Sequence, residues 1–327
     1  MRARVVVFLF AAAVVCSNRG LLGQRVGPAA TREKIEVQAD VEYGKAGERS
    51  LKLDVYKPKE GSDKPRACVV WIHGGGWQNG NKSSGLGRIA QLVASGDYVG
   101  ISVGYRLTDE TSWPGQIHDC KAAIRWVRAN AKTLGIDPEK MGVAGSSAGG
   151  HLVSMLGTSG DVKELEGKNG TPDVSSRVAC VVDFCGPSNF LVMGKDNPKL
   201  RDPGGPVYKL LGGPLSEKED VAKSASPVTY VSADDPPFLI LHGTDDRTVS
   251  IRQAEILHAA QTKAGTKTTF VKINGGGHGI GGPKVEERVQ AFFAKHLLGK
   301  DVEISGEPIE APIAAPAGKA AEKRDSK

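Results

Sequence analysis

Serine, aspartate and histidine, the side-chain types of a nucleophilic triad, occur in that order in three segments of the sequence. Residues 144–151 read AGSSAGGH and contain the pattern G-x-S-x-G, with Ser147 between Gly145 and Gly149. A serine on a sharp strand-to-helix turn needs residues without bulky side chains two positions before and after it. Ser147 has glycine at both positions, whereas Ser146 has alanine. Ser147 is therefore the predicted nucleophile.

The partners that such a serine needs follow it in the chain. A serine hydroxyl is a weak nucleophile at neutral pH, so a base must accept its proton and an acid must orient the base. The segment LILHGTDDRTVS carries Asp245 and Asp246, and INGGGHGI carries His278, which is the candidate base. The pattern alone does not choose between the two aspartates. We expect one to contact the histidine and the other to brace the loop.

Three consecutive glycines follow an apolar run in VVWIHGGGWQNG, residues 69–80. Glycine loses the most backbone freedom on folding, so three in a row indicate a backbone that must approach something a side chain would block. Backbone amides stabilise the oxyanion that develops when a serine attacks a carbonyl. The amide of Ala148, directly after the predicted nucleophile, and amides of the 73–76 turn are the candidates. A flexible surface turn is the alternative interpretation.

The elements that must hold these turns alternate between apolar strand-like runs and amphipathic helical patterns. Helical patterns occupy residues 114–135 and begin again near Ala148, Ser250 and Val285. The later strand-like runs are apolar almost throughout, as expected for a parallel sheet with helices on both faces. We therefore predict one α/β domain over residues 36–298, built on a mainly parallel sheet. The predicted strands are residues 51–58, 67–73, 98–105, 141–145, 178–184, 237–243 and 268–273.

Distinct segments flank this domain, and one interrupts it. Residues 1–17 begin MRARVVVFLFAAAVVC, with two arginines and then twelve apolar residues, which is typical of a signal peptide and predicts a secreted or periplasmic protein. An uncleaved membrane anchor is the alternative. We predict a linker at residues 18–35, a lid-like insertion rich in glycine and proline at 187–233, and a disordered tail at 299–327.

Composition argues against several classes of partner and cofactor. The formal net charge is +6, and the lysines and arginines are scattered among acidic residues, so we expect no nucleic-acid partner. The five cysteines are too sparse for a disulfide scaffold and lack the spacing of metal ligands. We expect no metal, no organic cofactor and, after signal cleavage, no stable membrane insertion. The composition leaves the oligomeric state open.

In four segments the chain resembles the α/β-hydrolase carboxylesterases of the hormone-sensitive-lipase type. The segments are WIHGGGW, DCKAAIRWVRANAKTLGIDPEKMGVAGSSAGGHL, SPVTYVSADDPPFLILHGTDD and GGGHG. The resemblance covers about residues 36–298 and is greatest with bacterial secreted esterases whose domain is described as feruloyl-esterase-like (BD-FAE-like). It implies the α/β-hydrolase fold for the whole predicted domain.

The resemblance also implies roles for individual residues. In the family pattern the acid is the third residue after the glycine of the H-G-T-x-D loop, which selects Asp246 over Asp245. The histidine before the triple glycine, His73, is implied to brace the loop. The implied catalytic residues are Ser147, Asp246 and His278, and the implied oxyanion donors are Gly75, Gly76 and Ala148.

The implied activity is that of a secreted serine esterase that works through an acyl-enzyme. The expected substrates are acetyl or feruloyl esters of polysaccharides, or small acyl esters. An amidase, formamidase or peptidase on the same triad is the alternative, and a non-catalytic binding module on the hydrolase fold is a more remote one. The sequence lacks a long N-terminal helical cap, which argues against large lipid substrates. We expect the 187–233 insertion and Trp77 to form walls of the pocket.

Overall fold

The computed structural model describes residues 28–160, 162–196 and 202–311, and within these ranges a nine-stranded sheet forms the centre of the molecule. The strands are β1 (Ile35–Ala46), β2 (Arg49–Pro58), β3 (Arg66–Ile72), β4 (Tyr98–Val103), β5 (Ile136–Ser146), β6 (Cys180–Phe184), β7 (Phe238–Gly243), β8 (Thr268–Asn274) and β9 (Ile309–Glu310). Their order across the sheet is β1-β2-β4-β3-β5-β6-β7-β8-β9.

The sheet is parallel from β4 to β9, and β2 pairs antiparallel with both of its neighbours, β1 and β4. The central strands are buried on both faces, and every residue of β3 from Ala67 to Ile72 is buried. This explains their continuous apolar sequences and confirms the predicted mainly parallel α/β sheet. The long strand β1 was not predicted as a separate strand, because it is largely solvent-exposed at the sheet edge and its sequence is mixed.

Helices cover both faces of the sheet. Helices α3, α5 and α9 contribute to the hydrophobic core on one face, and α2 and α10 contribute to the core on the other. The helix predicted at 114–135 is two helices, because the backbone leaves helical geometry at Asn130. The helices are α1 (Pro28–Glu33), α2 (Leu86–Ala94), α3 (Gly115–Ala129), α4 (Ala131–Leu134), α5 (Ala148–Thr158), α6 (Phe190–Asp196), α7 (Pro206–Leu211), α8 (Glu219–Ser224), α9 (Arg252–Ala264) and α10 (Pro283–Leu298).

The predicted insertion at 187–233 contains the short helices α6, α7 and α8 and is hydrogen-bonded to the rest of the domain. Trp113 donates its backbone N–H to the Leu210 carbonyl at 2.7 Å and its indole N–H to Ser224 Oγ at 2.9 Å. On the other side, Ser188 Oγ donates to the Gln253 carbonyl at 2.6 Å. These buried links fasten the described part of the insertion over the carboxyl ends of the strands.

The predicted boundaries need correction at both ends of the domain. Residues 28–33, assigned to the linker, form α1, and β1 begins at Ile35. The predicted disordered tail begins too early, because Ile309 pairs with Ile273 of β8 and is buried. A strand of two residues is too short to show an apolar period, so it could not be predicted from the sequence. The predicted signal peptide, the start of the linker and residues 312–327 lie outside the described residues.

Candidate active site

Ser147 stands at the sharp turn between β5 and α5, with φ 56° and ψ −119°. The turn is so tight that a Cβ on Gly145 would lie 2.4 Å from the Gly149 carbonyl oxygen, and one on Gly149 would lie 2.1 Å from that of Ile72. The Ser147 amide donates to the Phe184 carbonyl of β6 at 2.8 Å. The two glycines therefore permit a strained turn that presents the serine above the sheet.

The loops after β7 and β8 bring an acid and a histidine to this serine. His278 Nε2 lies 2.9 Å from Ser147 Oγ, and His278 Nδ1 lies 2.7 Å from Asp246 Oδ2. Asp246 Oδ1 accepts the amides of Thr248 and Val249 at 2.8 and 2.9 Å. These contacts fix the carboxylate and, through it, the orientation of the imidazole.

Asp245, the other acidic candidate, faces away from the histidine. Its side chain is exposed and accepts a hydrogen bond from Thr244 Oγ1 at 3.1 Å. Its backbone amide donates to the Gly276 carbonyl at 2.8 Å, so the residue ties the loop after β7 to the loop after β8. The structure thus brings Asp246 to His278 and gives Asp245 the bracing position.

Asp246 is held in its ionised form. Burial opposes ionisation, but hydrogen bonds from His242, His278 and the Val249 amide outweigh it and hold the pKa of Asp246 well below its usual range. A carboxylate in this state accepts the Nδ1–H of His278 and leaves Nε2 free to accept the serine proton. The geometry can therefore support proton transfer from Ser147 Oγ to His278 Nε2.

His242 is a contact of Asp246 that our sequence reasoning missed. It lies at the end of β7, and its Nε2 is 3.2 Å from Asp246 Oδ2. Its position four residues before Asp246 was a usable signal, since a strand that turns sharply can bring such a pair together.

The glycine turn after β3 lies beside the serine, since a Cβ on Gly74 would be 3.3 Å from Ser147 Cβ. Gly75 has φ 113°, and its carbonyl accepts the amides of Gln78 and Asn79 at 3.2 and 3.0 Å, which closes the turn. A Cβ on Gly75 would lie 2.1 Å from the Asn79 carbonyl oxygen, so the turn itself requires glycine. Within the described part of the chain, no acceptor pairs with the amides of Gly75, Gly76 and Ala148.

His73 stabilises the conformation of this turn. Its Nδ1 lies 2.8 Å from the Gly74 carbonyl oxygen, and its ring stacks on Tyr105 with centroids 4.3 Å apart. The Tyr105 hydroxyl donates to the His73 carbonyl at 3.0 Å. Burial lowers the pKa of His73. These contacts fit the bracing position that the family pattern implied for His73.

Trp77 does not form an open wall of the pocket, contrary to our expectation. Only 2% of its surface is exposed, and its indole N–H donates to His151 Nδ1 at 3.1 Å. His151 Nε2 in turn lies 2.7 Å from the Ala225 carbonyl, and Phe190 of α6 packs against both rings. Trp77 therefore anchors the glycine turn to α5 and to the insertion.

Cys185 is the one cysteine that borders Asp246 and His278 within the described chain. Its Sγ and one ligand atom each of Asp246 and His278 lie within 4.8 Å of one another. Burial raises the pKa of the Cys185 thiol, and the thiol points to the His278 carbonyl at 3.4 Å. Because Asp246 and His278 already hydrogen-bond to each other, we assign no metal to this group.

Comparison with known proteins places this geometry in a family. The family model BD-FAE matches residues 53–261. The chain belongs to the BD-FAE family. Among curated proteins it is 31% identical over 226 residues to the probable carboxylic ester hydrolase LipM, and 29% identical over 232 residues to the esterase LipC, both of Mycobacterium tuberculosis. The matches cover 66% and 70% of this chain but 49% and 56% of those proteins, so the chain spans about half their length.

Solved structures of esterases share the fold. A truncated carbohydrate esterase from gut microbiota superposes with a TM-score of 0.73 and 33% identity, covering 80% of this chain and 96% of that one. The esterase Est2 of the planctomycete Thermogutta terrifontis superposes with a TM-score of 0.67 and 28% identity, covering 82% and 95%. Together with the parallel sheet and its helices, these similarities establish the α/β-hydrolase fold.

Proposed function

We propose that the protein is a serine esterase in which Ser147 is the nucleophile, His278 the general base and Asp246 the residue that orients the base. The observation that carries the proposal is the continuous series of hydrogen bonds from Asp246 Oδ2 to His278 and from His278 to Ser147 Oγ, at 2.7 and 2.9 Å. The esterase names of the relatives support the same reaction class.

The proposed reaction has two halves. His278 Nε2 accepts the hydroxyl proton as Ser147 Oγ bonds to the ester carbonyl carbon, and the same proton then passes to the leaving alcohol as the ester C–O bond breaks. Water attacks the acyl-enzyme in the same way, with its proton taken by His278 and returned to Ser147. The amides of Gly75, Gly76 and Ala148 stabilise the oxyanion in both halves.

We propose acetyl or feruloyl esters of polysaccharides, or small acyl esters, as the substrates. A similar solved structure is named a carbohydrate esterase, and another, at 31% identity and a TM-score of 0.72, is a bifunctional GH43-CE protein of Bacteroides eggerthii. Est2 has been solved with propionate and with butyrate bound. These names favour a short acyl group and a carbohydrate alcohol.

A substrate panel tests this assignment against the alternatives. Rates on acetylated xylan, methyl ferulate, short p-nitrophenyl esters, N-formyl amides and dipeptide amides should favour the esters, because an amide nitrogen is the poorer leaving group. Turnover of amides without turnover of esters would replace the esterase proposal with an amidase, formamidase or peptidase. A folded protein that neither turns over any substrate nor reacts with a fluorophosphonate would instead be a binding module.

The nucleophile has an internal control in the neighbouring serine. Ser147→Ala should lower kcat on a short p-nitrophenyl ester by about 10⁴- to 10⁶-fold, because the covalent step is lost. Ser146→Ala should stay near the wild-type rate, since Ser146 belongs to the end of β5 and has no contact with His278 in the described structure. Activity that survives Ser147→Ala and disappears in Ser146→Ala would overturn the assignment.

Export is proposed on the sequence of residues 1–17 alone, which lie outside the described residues. Within the described ranges, no helix combines the length and the apolar character needed to cross a membrane. Fractionation of producing cells, with intact-mass measurement of the N-terminus, tests the proposal. Recovery of the full-length chain in the cytoplasm would contradict it.

A further inference from the structure

His242 contacts the acid of the proposed triad at Oδ2 of Asp246, the oxygen that His278 also contacts. Its side chain is completely buried at the end of β7, and its Nε2 lies 2.8 Å from the Val249 carbonyl oxygen and 3.2 Å from Asp246 Oδ2. A carbonyl oxygen only accepts hydrogen bonds, so Nε2 must carry a proton. That N–H is shared between the carbonyl and the carboxylate, as in a three-centre hydrogen bond.

With His242 included, four donors surround the Asp246 carboxylate. Oδ1 accepts two backbone amides, and Oδ2 accepts His278 Nδ1 at 2.7 Å and His242 Nε2 at 3.2 Å. Two imidazoles therefore share one carboxylate oxygen. Only His278 also contacts Ser147, so the two rings have different positions in the site.

The other ring nitrogen of His242 has no partner. Within the described chain, Nδ1 is buried and makes no hydrogen bond. An unsatisfied buried polar atom costs free energy, so histidine is a poor choice here if the ring serves only as core packing. Packing therefore does not explain the residue, whereas the contact from Nε2 to Asp246 does.

Three further titratable groups surround this pair. Asp183 of β6 lies on the same face of the sheet, because it pairs with Ile240, two residues before His242. It is fully buried, and burial raises its pKa to about 6, while it accepts hydrogen bonds from the Gly186 amide and Ser154 Oγ. The Cys185 thiol lies within 4.8 Å of ligand atoms of Asp246 and His278, and His278 is the third titratable group.

We propose that His242 is a positioning residue for the proposed triad: its Nε2–H holds Asp246 Oδ2 in place for His278 and draws part of the carboxylate charge away from that ring. This inference rests on the proposed function. Without the donor, Asp246 directs more of its charge to the protonated His278 ring. The looser carboxylate then orients the His278 ring less well.

A pair of substitutions at His242 tests the role. His242→Leu removes the donor and should lower kcat by about 10- to 100-fold, a usual range for groups that orient a functional side chain. It should also move the acidic limb of the kcat/KM profile upward by roughly half a pH unit or more, while KM changes little. His242→Gln retains an N–H and should recover most of kcat.

Leu239→Ala is the matched control, because Leu239 is fully buried in the same strand and is not part of the hydrogen-bonded site. It should lower Tm and leave the pH profile unchanged. A folded His242→Leu enzyme with the wild-type kcat and acidic limb would overturn the positioning role. If Ser147→Ala retains activity, the proposed function itself has failed, whatever the His242 variants do.

A measurement on the unaltered protein covers the case in which the variants do not fold. In ¹⁵N-histidine NMR spectra, His242 should show a protonated Nε2 and an unprotonated Nδ1 at neutral pH. A ring with the proton on Nδ1 alone cannot donate to Asp246 and would overturn the proposal.

Discussion

Two loops of this protein contain three consecutive glycines, and the glycines have different structural roles in the two loops. Gly74 to Gly76 follow β3, and Gly275 to Gly277 follow β8. In the first loop a Cβ on Gly75 would lie 2.1 Å from a backbone oxygen, whereas at Gly277 a Cβ would meet nothing within 4 Å. The first loop is closed on itself at Gly75, whereas the second has room for a Cβ at Gly275 and Gly277.

The difference follows from what each loop contributes to the site. The loop after β3 contributes backbone amides, so its backbone conformation has to be exact. Other backbone atoms fill the space that a side chain at Gly75 would need. The loop after β8 offers a side chain, His278, whose position is set by hydrogen bonds to Asp246 and Ser147. Substitutions should therefore have unequal effects in the two loops.

In the comparison of the two loops, the largest effect of a substitution is expected at Asp246, which contacts His278 of the loop after β8. Asp246→Asn should lower kcat by about 10⁴-fold, because the amide no longer holds the His278 tautomer and charge. Asp245→Asn keeps the backbone bond to Gly276 and should remain close to wild-type activity. Initial-rate kinetics of the two variants decide the matter, and a reversed order of damage would assign the acid to Asp245.

The glycine turn is expected to be the next most sensitive place. Gly75→Ala requires a side chain at φ 113° and a clash with the Asn79 carbonyl, so the donor amide would be displaced. We expect a loss of about 10²- to 10³-fold in kcat, together with a lower Tm. Steady-state kinetics and thermal unfolding measure both, and unchanged kcat would show that this amide is not a donor.

The free energy of unfolding should depend on pH through His151, which anchors the glycine turn by its contact with Trp77. Burial lowers the pKa of His151 from 6.5 to about 4, so between these values the unfolded chain binds a proton that the folded chain does not. The stability associated with His151 is complete above pH 6.5 and is lost as pH falls toward 4, by up to about 3 kcal/mol. Protonation of Nδ1 would also break its bond from Trp77.

Urea unfolding at pH 7 and pH 4.5 measures this loss. His151→Gln removes the titrating ring and should flatten the pH dependence, whereas His118→Gln, at a partly exposed position, should flatten it less. The same pH dependence in wild type and His151→Gln would show that other groups control acid stability.

The smallest effect is expected at the third glycine of the histidine loop. Gly277→Ala adds a methyl group to open space at a position without a positive φ, so kcat and Tm should stay close to wild type. This variant is the direct counterpart of Gly75→Ala. Equal damage from both would mean that the loop after β8 also requires an exact backbone.

Much of the fold could be predicted because the signals are local. Apolar runs such as β3 and β7 are buried on both faces of a parallel sheet, so their sequences differ sharply from those of the helices between them. The turn around Ser147 was equally readable, since the pattern G-x-S-x-G lies within five consecutive residues, although the carbonyl that a Cβ on Gly149 would meet belongs to the distant Ile72. Elements without a clear apolar pattern, such as β1 and β9, could not be predicted in this way.

Burial and pairing between distant segments were decided only by the tertiary structure. Trp77 is an anchor because α6 covers it, and α6 lies more than a hundred residues further along the chain. His242 contacts Asp246 because β7 ends in a turn that folds the loop back over the strand.

The sequence by itself determined the α/β architecture, the turn that carries Ser147 and the order of serine, acid and histidine. The pattern alone left Asp245 and Asp246 open; the family resemblance favoured Asp246, and the folded loops place Asp246 against His278 and leave Asp245 exposed to solvent. The physical reason is that residue type and spacing fix local geometry, whereas the partner of a side chain depends on which distant segments are packed around it.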